Sequence, residues 1–158
     1  MLNGLPEENV QDYPRPPRLE PVELALRVAL GGQEIARTTR GWRVLETHHA
    51  PTYYLPEADV DMTHLRPIPG GSLCEWKGRA AYFDLVTEGM RIPRAAWCYP
   101  EPTRAFGSIR SHLAFYAGPL DCFVGEVPVT AQPGDFYGGW VTPNLKGIVK
   151  GAPGTRHW

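Results

Sequence analysis

What the chain lacks narrows it first. No apolar run approaches the ~20 residues that cross a bilayer, so no membrane-spanning helix is expected. Neither sign of charge is in excess: 16 Lys and Arg stand against 17 Asp and Glu, a formal net charge of −1. So even a balance supplies no field to gather nucleic acid or an anionic lipid surface, and neither is expected as a partner. Cysteine is scarce, and Cys74, Cys98 and Cys122 contain no C-x-x-C pair. Three separated thiols fit a reducing compartment, where they act as small apolar groups. The opening Met-Leu-Asn-Gly-Leu-Pro-Glu-Glu has no basic stretch followed by an apolar one. No secretory signal is therefore expected, and the expected protein is soluble and cytoplasmic. Long helices are not expected either, because glycine and proline number 17 each and favour short strands and turns.

What is present reads as one small, mainly β domain of twisted antiparallel sheets with one or two short helices. A chain of 158 residues buries roughly 70% of the surface its unfolded form exposes, enough for a real core. Residues 1–21, with Pro6, Pro14, Pro16, Pro17 and Pro21, read as an extended arm. Residues 22–125 carry the strand patterns, and 126–158 form a Gly/Pro/aromatic tail expected to wrap the domain. Leu24, Leu26, Val28 and Leu30 alternate with polar or small residues, and Gly31-Gly32 reverses the chain so that Val28 faces Ile35. Trp42, Val44 and Glu46 share one strand face, with Arg43 and Leu45 on the other. Pro51–Pro56 is a short extended piece, and Asp59–Leu65 suits a helical turn. Ser72–Leu85 reads as a hairpin turning at Lys77-Gly78, with Trp76 opposite Arg79 and Cys74 opposite Ala81. One face then carries Cys74, Trp76, Ala81, Phe83 and Leu85. Glu88-Gly89 offers another reversal, Ala95, Trp97 and Tyr99 another strand face, and Thr103–Arg110 a short helix with Thr103 as N-cap. Leu113 and Phe115 alternate, as do Leu120, Cys122 and Val124.

The order of motifs resembles a known family. Gly32-x-x-Ile35-Ala36-x-Thr38-x-Arg40 precedes Val44-Leu45-Glu46-Thr47 and Pro51-x-Tyr53-Tyr54-x-Pro56. Asp59-Val60, Cys74-x-Trp76-Lys77-Gly78, Ala96-Trp97-x-Tyr99 and His112-Leu113-Ala114-Phe115-Tyr116 follow. Together they resemble the family called domain of unknown function 427, which also carries the label nucleotidyl transferase domain, over about residues 22–125. The tail resembles that of a longer subfamily. The resemblance implies a fold similar to the β-tent of B-type methionine sulfoxide reductases. Those relatives hold zinc with paired C-x-x-C ligands, which this chain does not have.

Among the residues of these motifs, a candidate site gathers Glu46, Arg40 and Lys77 with Tyr53, Tyr54, Tyr82, Trp97 and Tyr99, and His112 joins the candidate ligand-binding set. Small-molecule pockets combine aromatic walls with a few convergent polar groups. A carboxylate continuing an apolar strand face is costly to bury unpaired. Glu46 is therefore the candidate catalytic base, or else orients Arg40 or Lys77; a plain Glu–Arg pair at a strand end is the structural alternative. His48-His49, His64 and His112 match no zinc spacing, and adjacent strand residues point to opposite faces, so no metal and no cofactor is expected. Cys98 reads as a buried, inert thiol. Asp59-Val60-Asp61 presents two carboxylates of the kind magnesium-dependent phosphoryl transfer uses. However, Gly147–Gly154 is no phosphate-cradling P-loop, because Gly151 follows Lys150. The expected function is binding of a small polar or anionic molecule, with catalysis centred on Glu46 if the domain is an enzyme. A protein-interaction module and a magnesium-dependent nucleotidyl transferase are the alternatives, and self-association stays open.

Overall fold

The structure, a computed structural model, describes residues 4–134 and 136–155; Asp135 and the Arg156-His157-Trp158 end of the expected tail lie outside the described residues. β1 (Glu8–Asn9) runs into a 3-10 turn, Val10–Asp12, where Asn9 accepts from the Gln11 amide. β2 (Arg18–Val22) follows, so the last residues of the proline-rich arm enter a sheet beside Gly41–Leu45. β3 (Leu26–Leu30) and β4 (Gln33–Thr38) form the hairpin expected at Gly31-Gly32, both glycines having positive φ. Its register departs from expectation: Leu30 faces Gln33, but a bulge pairs Val28 with Ala36 and not with Ile35. The extra residue lets both Ile35 and Ala36 be buried, which strict alternation forbids.

β5 (Gly41–Leu45) and β6 (Thr52–Pro56) come next. Two 3-10 turns, Glu57–Asp59 and Met62–His64, replace the single helical turn expected before β7 (Leu65–Pro67). β8 (Ser72–Cys74) and β9 (Gly78–Thr87) make the central hairpin, and β9 turns at Glu88-Gly89 into β10 (Met90–Cys98). A 3-10 stretch, Arg104–Ile109, leads to β11 (His112–Phe115) and β12 (Asp121–Val124). β13 (Val127–Pro128), β14 (Thr130–Ala131), β15 (Trp140–Val141) and β16 (Leu145–Lys146) are short pieces of the tail.

The central hairpin corrects the sequence reading. Cys74 pairs with Gly78 and Leu73 with Arg79, so Glu75-Trp76-Lys77 is a three-residue loop and Cys74 does not oppose Ala81. The cause is distant in sequence. The Thr103 amide donates to the Lys77 carbonyl at 3.0 Å, and Thr103 Oγ1 to the Trp76 carbonyl at 2.6 Å. Thr103 precedes its 3-10 stretch as expected, but its hydroxyl holds this loop and caps nothing. Ala80 and Tyr82, in place of Ala81, accordingly join the aromatic face of β9.

Strand order in the eight-stranded sheet is β2-β5-β6-β11-β10-β9-β7, with β8 also on β9, and a four-stranded sheet runs β13-β12-β3-β4. Every paired strand is antiparallel except β1 beside β16. Period-2 alternation buries both faces of the large sheet. Leu55, Leu113 and Phe115 pack with Leu26, Val28 and Ile35 of the smaller sheet into the main core. Their neighbours Tyr54 and Ala114 turn the other way and join Val44, Tyr82, Trp97 and Tyr99 in a second cluster. The tail is anchored by Trp140, 1% exposed, whose indole N–H donates to the Phe115 carbonyl at 2.8 Å. Among the described residues no helix is long and apolar enough to cross a membrane.

Candidate functional site

The second cluster does not fill its face of the large sheet. Trp97 pairs across strands with Tyr82 on one side and with Ala114 on the other, and the alanine's small side chain leaves space. A hollow of about 200 Å³ results, walled by Tyr54, Tyr82, Trp97, Tyr99 and Tyr116. Glu46 and His49, from the β5–β6 connection, and Lys77, from the central hairpin loop, supply its ionisable groups. The tail closes it with Gln132 and Phe136–Gly139.

Of the residues expected at a site, Glu46, Tyr54, Lys77, Tyr82, Trp97 and Tyr99 line this one hollow. Arg40, Tyr53 and His112 lie elsewhere. Arg40 grips Asp59 through Nε and Nη2 at 3.2 and 3.0 Å, and Thr38 donates to the same carboxylate at 2.7 Å. Tyr53 neighbours Tyr54 on β6 and so faces the main core, its ring 5.2 Å from that of Trp140. His112 Nδ1 donates to the Arg110 carbonyl at 2.9 Å at the start of β11. The Asp59-Val60-Asp61 pair is also committed elsewhere: Asp59 to Arg40 and Thr38, Asp61 to the amide and hydroxyl of Thr63. Among the described residues no group of three His, Cys, Asp or Glu side chains is arranged to hold a metal ion.

Lys77 Nζ lies 5.8 Å from the centre of the Tyr99 ring, a cation held over an aromatic face. Glu46 meets Arg15 at 3.4 Å. His49 Nδ1 lies 2.9 Å from the Thr47 carbonyl; a carbonyl only accepts, so Nδ1 carries the proton and Nε2 keeps its lone pair. Burial pushes the His49 pKa down, against the contrary pull of the Thr47 carbonyl and the Glu46 charge, so the ring is neutral at pH 7. Burial raises the hydroxyl pKa values of Tyr54, Tyr99 and Tyr116, all of which stay protonated. Ser72 Oγ sits 2.7 Å from Tyr82 Oη. Tyr54 Oη is enclosed and makes no hydrogen bond of ordinary length, lying against Trp97 and Tyr99. Burial also raises the Cys98 thiol, which does not line the hollow, and pushes Cys122 up to about 12.

Sequence reasoning missed His49, Tyr116, Gln132 and the tail's share of the wall. Gly138-Gly139, amid aromatics, was the available signal. A Cβ on Gly138 would stand 2.0 Å from Trp97 Cη2, and one on Gly139 2.3 Å from Gln132 Oε1. Bare backbone is therefore what lets the tail lie on the indole. Gly138→Ala is expected to cost about 1–3 kcal/mol, since a buried indole cannot yield cheaply. Thermal melting followed by tryptophan fluorescence checks it: a lower Tm with a red-shifted native spectrum is expected.

Among curated proteins none matches the chain. A family model described as Domain of unknown function (DUF427) matches residues 18–126, from the first residue of β2 to the residue before β13. The tail's contribution to the hollow lies beyond that match, whereas Glu46, His49, Tyr54, Lys77, Tyr82, Trp97 and Tyr99 lie within it. With well over half of its length matched, the chain belongs to the DUF427 family.

Proposed function

We propose that this domain binds a small polar or anionic molecule in the hollow that Lys77, Glu46 and His49 share. The observation that carries the reading is the convergence of Lys77, from the central hairpin loop, with Glu46 and His49, from the β5–β6 connection, on one hollow with aromatic walls. Lys77 supplies the attraction for an anionic group, and the aromatic walls supply apolar contact. If the ligand is transformed, His49 is the proton acceptor through Nε2, and Glu46 stabilises the imidazolium that forms. Glu46 then acts through the histidine, a lesser part than that of sole base.

The test is a thermal-shift screen of metabolites, metals and magnesium–nucleotide complexes against the full chain. A binder at 100 times its Kd stabilises by about 2.7 kcal/mol. Lys77→Ala is expected to weaken any anionic hit at least about tenfold, the equivalent of ~1.4 kcal/mol, whereas Glu46→Gln, which removes a like charge from the hollow, is expected to tighten it. Hits unchanged by either substitution would place the ligand elsewhere and end this reading. Magnesium-dependent nucleotidyl transfer receives no support from the Asp59-Val60-Asp61 pair, whose carboxylates are already engaged. A protein-interaction role has one observation in its favour: Leu73 and Phe136, 73% and 65% exposed, both border the hollow.

A further inference from the structure

A second hollow, of about 540 Å³, lies against the first. Tyr116, Gln132 and Phe136–Gly139 line both, so the partition is one tyrosine, one glutamine and one extended piece of tail. Two hydrogen bonds join its parts among the described residues: the Gln132 amide donates to the Gly139 carbonyl at 3.1 Å, and Tyr116 Oη to the Phe136 carbonyl at 3.1 Å. The inner hollow, at about 200 Å³, falls short of the ~300–1,000 Å³ that ligand sites occupy, and the outer one brings the pair within that range.

Their linings differ in kind. The inner hollow holds Lys77, Glu46 and His49. Pro93, Ala95, Ala117, Pro119, Ala131 and Phe136 give the outer one apolar walls. Its charged side chain among the described residues, Arg94, is turned onto the aromatic face shared with the inner site: the guanidinium lies 4.1 Å from the centre of the Tyr82 ring. Arg94 adopts φ 49°, beside the register shift between Ile92 and Ala96, and its amide donates to Asp84 at 2.9 Å. A bulge that aims a strained residue in this way is characteristic of sites and not of plain sheet.

Resting on the reading of the inner hollow given above, we infer that the two hollows form one elongated site for an amphipathic anion, with the charged head at Lys77 and an unbranched apolar arm in the outer hollow. The arm passes the partition where Tyr116 meets Phe136, one exposed hydrogen bond that the ligand displaces at little cost.

Straight-chain carboxylates from butyrate to decanoate, titrated calorimetrically into the full chain, test this. Affinity is expected to rise about three- to fourfold per added methylene until the outer hollow is filled. Ala131→Trp, at an exposed position that lines only the outer hollow, should abolish that length dependence and leave butyrate binding unchanged. Lys77→Ala should weaken every member by a common factor. Tyr116→Phe should retain the length dependence and tighten the longer acids. An affinity independent of chain length, or a dependence that survives Ala131→Trp, overturns the elongated site while leaving the inner-hollow reading intact. No binding by any member also overturns it, and the metabolite screen then decides the inner hollow alone.

Discussion

Trp140→Ala is expected to remove about 3–5 kcal/mol of stability, the range for emptying a buried aromatic site. The indole is almost fully enclosed in the main core and packs beside Tyr53. Its N–H satisfies the Phe115 carbonyl, and the Trp140 amide donates to the Pro51 carbonyl at 2.8 Å. Alanine keeps the second of these bonds and loses the first, leaving a cavity and a buried carbonyl without its partner. The effect should reach the site, because Gly138-Gly139 directly precede this anchor and Tyr116 follows Phe115. At about 2–4 °C per kcal/mol for a chain of this size, Tm falls by ~6–20 °C. Trp140→Phe should cost much less, since it refills most of the volume and omits only the donor. A loss below about 1 kcal/mol for the alanine variant would mean that the tail does not melt with the domain.

Arg43→Met should be the second large loss, about 2–3 kcal/mol at pH 7, below the ~3–5 typical of a fully buried pair because these groups are only partly enclosed. Arg43 reaches both oxygens of Glu8 at 3.0 and 2.9 Å and Glu20 at 2.6 Å, while Tyr13 donates to Glu8 at 2.6 Å. Burial pushes the Glu8 carboxyl up, but the Arg43 and Tyr13 hydrogen bonds outweigh it and hold the pKa below the usual carboxylate range. A carboxylate with a depressed folded pKa adds stability that is complete above its unfolded value, near pH 4.5, and is lost as pH falls through the folded one. Methionine removes the depression and leaves burial to raise the Glu8 pKa. The gap between wild type and variant should therefore be widest near pH 7 and narrow towards about pH 3, as urea unfolding at the two pH values would show. A gap that grows on acidification would mean that Glu8 does not carry the effect.

Reversals governed by neighbouring residues were legible in the sequence. Gly31-Gly32 and Glu88-Gly89 turn where expected, and Pro51–Pro56 encloses a strand. The tendency of pockets to have aromatic walls, and not alternation, put Tyr54, Tyr82 and Trp97 among the candidate residues, and all three line the hollow. Features set by remote partners were not legible. Thr103 fixes the loop after Cys74 from 27 residues past Trp76, so no local rule gives that register. Tyr53 and Tyr54 could not be told apart, because both faces of β6 are buried and hydrophobicity names neither as the site face. Arg40 left the site for Asp59, 19 residues on. The tail's share depends on Gly138 lying against Trp97, a contact between segments some 40 residues apart.

The clasp between the two ends has a consequence for biosynthesis. Glu8 and Asn9 lie alongside Leu145 and Lys146, and the Asn144 side chain donates to the Pro6 carbonyl across 138 positions. During synthesis Arg43 and Thr47 can hold Glu8 and Tyr13 early, but the β1 backbone edge waits for β16, more than 130 residues later. Until β16 is made, that edge is an unpaired strand open to proteases and chaperones, and the clasp closes as a late step of folding.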